Sequence, residues 1–317
     1  MRFALLPAVV MLMLFGVVHA RQDLIRSPEQ LARLLADFDA NSLAEHPQAM
    51  HDQIDQAAGQ KDAVRSRLFW YTDLNQALVA AKEQNKPVLS LRLLGRLDEE
   101  LSCANSRFFR KTLYVDPALT ALLRAQFILH WESLRPVPTI TIDFGDGRQV
   151  KRTITGNSIH YILSPEGTVI DALPGMYDVR TFTNALQRIA NINWGTTMSP
   201  QELLHYRRDA IASLLLINPV RRAAAPRPAD RASDRALVKR IAEGPTLAAT
   251  RNPGDSVAAD TALNQRQFRP QILQWLNAGA DRDLPALNKR IYAELFLAPL
   301  DDPDMGLNPS DETALAR

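Results

Sequence analysis

The chain has 317 residues, room for one large or two ordinary domains; 46% apolar and 23% charged residues exclude a wholly disordered chain. Lysine plus arginine number 37 against 35 acids, and a balance of +2 gives no net basic field of the kind that carries nucleic-acid binding.

Residues 1–20 read as a signal peptide. Arg2 is a positive n-region, PAVVMLMLFGVV is an apolar stretch too short to span a bilayer, and Val18 and Ala20 supply small residues for cleavage after Ala20. An uncleaved anchor is the other reading of that stretch. No later apolar run reaches the ~18 residues of a spanning helix. The expectation is a periplasmic or secreted protein with no stable membrane insertion once the leader is removed.

A helical segment is expected over 21–67. Ser27 is positioned to cap, Pro28 suits the first helical position, and Gln30 completes a capping box. Leu31, Leu34, Leu35 and Phe38 then form one apolar stripe. Asp73 starts a second capped helix, DLNQALVAAKEQNK, which Asn85-Lys86-Pro87 stops. VLSLRLL follows as a short apolar strand of the type buried on both faces. Helices are expected over 105–113 and 117–125, the latter from Asp116-Pro117, and QFILHW reads as a strand. TITIDFGDGRQVKRTI has the form of a hairpin turning at Gly145-Asp146-Gly147, and IHYILSPEGTVIDAL that of a second one turning at Ser164-Pro165-Glu166-Gly167. A helix with Phe182, Leu186 and Ile189 on one face closes the unit. Helices alternating with strands, then antiparallel strands, imply an α/β fold whose mixed sheet is covered by helices. Residues 199–317 read as a helical C-terminal region, with helices near 200–217, 233–243, 258–278 and 285–297 and a flexible Pro/Ala/Arg-rich linker near 218–235.

Cys103, in LSCANSRFFR, is the only cysteine, so no internal disulfide exists. A thiol at a helix start is a common way to make a reactive sulfur. Arg107, Arg110 and Lys111 favour a thiolate there, and Asp98, Glu99 and Glu100 oppose it. The residues alone leave two roles open, a nucleophile or a small packed residue.

With DLNQALVAAKEQNKPVLSLRLL, the cysteine just past that strand, and HYILSPEGTVIDALPG with its helix, residues 68–192 resemble the thioredoxin-like superfamily. The resemblance places the family's Cys-x-x-Cys on Cys103-Ala104-Asn105-Ser106, with Ser106 in place of the resolving thiol. It places the family's cis-proline within Gly156-Asn157-Ser158-Ile159-His160, where no proline stands, and so makes Ser158 and His160 candidate substrate-binding residues beside Cys103. It implies thiol–disulfide exchange of monothiol type without a cofactor, with protein or small-molecule thiols as partners, since a serine cannot resolve a mixed disulfide. The competing expectation is a non-catalytic binding or scaffold protein on the same fold. The oligomeric state is left open.

Other motifs yield to plainer readings. Gly145-Asp146-Gly147 lacks the Gly-Lys-Ser/Thr of a phosphate loop, and Asp301, Asp302 and Asp304 lack the glycine and terminal glutamate of a calcium loop. Arg221, Arg222, Arg227, Arg231 and Arg235 have no interleaved aromatics and read as a solvated linker. His130 and His160 are too few to complete a four-ligand metal site with Cys103.

Overall fold

Helix caps and turn residues set the element boundaries. A computed structural model describes residues 26–41, 47–153, 156–217, 253–280 and 283–305. The expected leader at 1–20, the linker at 218–235 and the helix at 233–243 lie outside the described residues. Helix α1 (Pro28–Ala40) starts where Ser27 Oγ accepts from the Gln30 N–H at 3.2 Å. Its Leu31 and Leu35 pack on α2 (Gln48–Ala58) and α3 (Ala63–Ser66) in a small cluster around Ile54. Helix α4 (Leu74–Gln84) is capped by Asp73 and ends at Asn85, whose φ of 51° is left-handed.

Strand β1 (Val88–Leu94) is buried at every residue, as a strand covered on both faces must be. It pairs in parallel with β2 (Ile128–Arg135), and the crossover runs through α5 (Ala104–Phe108), a π-helical turn (Phe109–Leu113) and α6 (Pro117–Gln126). Parallel pairing needs a crossover of about this kind. On its other side β1 pairs antiparallel with β5 (Ser158–Leu163), which forms a hairpin with β6 (Val169–Pro174). The sheet order is β2-β1-β5-β6, and α7 (Val179–Ala190), capped by Asp178, follows. The hairpin β3 (Thr139–Asp143) and β4 (Gln149–Thr153) stands apart as its own two-stranded sheet. The α/β class and the mixed sheet thus match the expectation. Strand β2 starts later than expected because α6 extends through Gln126.

The C-terminal helices are α8 (Pro200–Ile217), α9 (Pro253–Leu263), α10 (Arg269–Asn277) and α11 (Leu284–Arg290). The single helix expected over 258–278 is interrupted by a π-helical turn at Asn264–Phe268. Pro270, just beyond, has no N–H to give to the carbonyl four residues back. Phe268, Ile272, Leu273, Leu276, Leu287, Ile291 and Tyr292 join the apolar cluster that contains the sheet. Among the described residues, no helix is long and apolar enough to cross a membrane.

A buried charge pair joins these helices to the sheet. Asp171, inside β6, is fully buried and accepts from Arg269 Nε at 3.1 Å and Nη2 at 2.5 Å, from the Tyr206 hydroxyl at 2.7 Å and from the Ala172 N–H at 2.7 Å. Burial alone would lower the Arg269 pKa; the Asp171 carboxylate more than reverses this and raises it. Removing one partner strands a buried charge, so Arg269→Met should cost about 3–5 kcal/mol in urea unfolding, and Asp171→Leu in the same chain should recover much of that loss. A near-neutral single variant would show that the pair does not hold the layers together.

Candidate functional site

The loop after β1 delivers Cys103 to the N-cap of α5, with φ −61° and ψ 160°, the placement expected from sequence. The thiol is not presented to solvent: Cys103 is 0% exposed. Ser106 is equally buried, and its Oγ donates to the Cys103 carbonyl at 3.0 Å. It also lies 2.5 Å from Ser102 Oγ, which accepts from Arg110 Nη2 at 3.2 Å. The Ser106 hydroxyl is therefore tied into the backbone of its own turn.

The basic residues expected to tune the thiol have structural partners. Arg107 Nη1 donates to the Ser102 carbonyl at 2.6 Å and to Thr153 Oγ1 at 2.9 Å, which fastens β4 to the turn. Arg110 is buried and reaches Asp62 at 3.3 Å; desolvation lowers its pKa, with Asp62 acting in the opposite sense. Lys111 lies 3.9 Å from Glu100, and Arg96 pairs with Asp98 and Glu99.

Ser158 and His160 are both fully buried on β5. Ser158 Oγ accepts from Asn105 Nδ2 at 2.9 Å, joining β5 to the first turn of α5. Gly156 lies against that turn: a Cβ there would come within 2.8 Å of Ala104 Cβ and 2.9 Å of the Ala104 nitrogen. Only glycine allows so close an approach. His160 Nε2 shares a 2.6 Å hydrogen bond with the Tyr114 hydroxyl, and its ring packs between Phe109 and Phe182 at 4.8 and 5.0 Å. Burial lowers the His160 pKa to about 3, so at neutral pH the ring is uncharged and offers no cation to a thiolate.

Two tyrosines that the sequence reading passed over stand near the thiol. The Tyr114 phenol is pushed well above its ordinary pKa by burial and, secondarily, by the charge that Cys103 would carry. Burial and then Cys103 act on Tyr292 in the same direction. Tyr292 comes from the C-terminal π-helical turn Ile291–Leu295, and its hydroxyl donates to the Asn157 carbonyl at 2.8 Å. Beside it, the Tyr161 hydroxyl donates to Asn288 Oδ1 of α11 at 2.8 Å. The C-terminal segment thus covers the lead-in to β5. No local pattern announces Tyr114 or Tyr292, because each reaches the site through tertiary packing.

His130 belongs to another environment. It pairs in register with Ser90 and His160 with Leu91, so the two rings lie on opposite faces of the sheet. His130 Nδ1 is 2.8 Å from Ser90 Oγ, and burial lowers its pKa to about 3. Among the described residues, no group of three or more His, Cys, Asp or Glu side chains is placed to hold a metal ion. A cleft of about 240 Å³ between α1 and the start of β2, and one of about 680 Å³ beside the β5–β6 turn, are lined by none of Cys103, Ser106, Ser158 or His160.

No protein-family model matches the chain, and no curated protein matches it.

Both histidines have folded pKa values near 3 against 6.5 for the free side chain. Below pH 6.5 the unfolded chain binds protons that the folded chain refuses. The stabilisation is full above 6.5 and is lost as pH falls toward 3. Urea unfolding at pH 7, 6 and 5 should show this loss, at up to about 1.4 kcal/mol per pH unit for each histidine. In His160→Phe the slope should be shallower by one proton; an unchanged slope would mean that the ring protonates in the folded protein.

Proposed function

We propose that this chain is an exported, non-catalytic scaffold or binding protein built on a thioredoxin-like domain, with Cys103 as a packing residue. Support for the fold reading comes from the sheet order β2-β1-β5-β6, the parallel β1–β2 pair, the cysteine at the helix start after β1, and the closing hairpin and helix. The observation that carries the function is the complete burial of Cys103 near Tyr114 and Tyr292, with Ser106 tied to its own turn. Thiol–disulfide exchange needs an accessible thiolate and room for a partner sulfur along the S–S axis. A closed interior supplies neither, and what remains for partners is the outer surface of a rigid domain.

A second reading, monothiol exchange, draws on the N-cap position of Cys103. In that reading the segment 284–295 first leaves the lead-in to β5, Cys103 attacks a partner disulfide, and an external protein or small-molecule thiol releases it. Alkylation of Cys103 against pH separates the two. The scaffold reading expects slow labelling of the native protein with no inflection near neutrality, and rapid labelling in urea. Fast native labelling with a midpoint at or below neutral pH, together with a mixed disulfide lost in Cys103→Ser, would establish exchange instead. The export part of the proposal expects an N-terminus at Arg21 in the mature protein by mass spectrometry; retention of residues 1–20 would replace export by anchoring.

A further inference from the structure

We infer that the β3 edge is a self-complementary interface through which two copies of this chain join their hairpins into one four-stranded antiparallel sheet. The hairpin β3–β4 pairs with no other strand among the described residues. An isolated two-stranded ribbon is marginal in water and becomes stable when further strands or packing are added. Ile142 and Phe144 are 41% and 54% exposed, so this ribbon has no core of its own to rest on.

The ladder defines which backbone groups are available. Phe144 N–H donates to the Arg148 carbonyl at 3.1 Å, closing the turn in which Gly145 and Gly147 take φ of 77° and 88°. From that pair, hydrogen bonding alternates down the register Ile142↔Val150 and Ile140↔Arg152. Thr139, Thr141 and Asp143 therefore turn their N–H and C=O groups outward from β3, and Gln149, Lys151 and Thr153 do so from β4.

The two edges differ as templates for a second copy. Two-fold pairing along β4 centres on Lys151 and sets the two ammonium groups directly opposite, which is unfavourable; an edge lysine is a known guard against pairing. Two-fold pairing along β3 centres on Thr141. It sets Thr139 opposite Asp143 of the second copy, and each outward residue exchanges both backbone bonds with its opposite number. No like charges meet, and each Asp143 enters the face that carries the Lys151 side chains of both copies. On the other face Ile140 falls opposite Ile142 of the second copy, so the two apolar stripes, each extended by Val150, merge into one. An isologous contact of this kind closes as a dimer and leaves no complementary edge to propagate.

The test is the mass of the full chain in solution by size exclusion with light scattering across the micromolar range. Twice the chain mass is expected. Thr141→Pro should halve that mass: its N–H points outward, so the hairpin's own ladder is untouched while the edge is blocked. Lys151→Pro on the opposite edge should leave the dimer intact. As a gain of signal, Thr141→Cys should be linked across the dimer by a short bifunctional thiol reagent, because the two side chains stand directly opposite each other about the two-fold axis, and Lys151→Cys should not. A monomer at all concentrations, or a dimer that survives Thr141→Pro and yields no link through Thr141→Cys, overturns the inference.

Discussion

The layers of this protein meet at one buried carboxylate. Asp171 sits inside β6, the last strand of the main sheet, and carries a charge that the interior would otherwise expel. Four donors satisfy it, and those outside its own strand, from Arg269 and Tyr206, belong to the C-terminal helices. Arg207 of α8 adds bonds to the carbonyls of Val169 and Ile170 on the same strand. An edge strand presents unpaired backbone to any passing chain, and a helical layer is one means of covering it. The charge pair sets where that layer lies, and the layer in turn brings α11 and Tyr292 over the lead-in to β5.

The interior around Cys103 is likewise crossed by buried hydrogen bonds. Ser102, Ser106 and Arg110 form a chain of hydrogen bonds, Asn105 meets Ser158, and Tyr114 meets His160, while Asn105 Oδ1, Arg110 Nε and His160 Nδ1 make no hydrogen bond among the described residues. Each bond that is made ties a side chain to its neighbour in a low-dielectric interior. Catalysis at a thiol asks for the reverse: an exposed sulfur, a charge left over to stabilise the thiolate, and space for a second sulfur. The groups that would provide these are engaged with one another.

Much of the fold is legible in the sequence because its signals are local. Ser27, Asp73 and Asp116 each accept from a backbone N–H of the first turn that follows, as their positions before apolar periodic runs suggest. VLSLRLL, the Gly145–Gly147 turn and Cys103 at a helix start are local in the same sense. What the sequence conceals is long-range. Asp171 is a single acid within an apolar strand, and Arg269 stands 98 residues further on. Tyr292 reaches Asn157 from 135 residues away. Spacing cannot reveal such pairs, and they decide whether Cys103 is open or closed. Ser106 and Ser158 do meet the turn that carries Cys103, whereas His160 packs with Tyr114, Phe109 and Phe182, and no local signal shows that all three are buried.

Cys103 labelling measured against increasing urea, in the native protein and in Arg269→Met, asks most directly whether the site is closed by the same packing that holds the layers together. The free energy for exposing Cys103 is expected to equal that of global unfolding and to fall with it in Arg269→Met. Labelling through a low-energy opening, unchanged by loss of the Asp171–Arg269 pair, would contradict a sealed interior and would restore Cys103 as a working thiol.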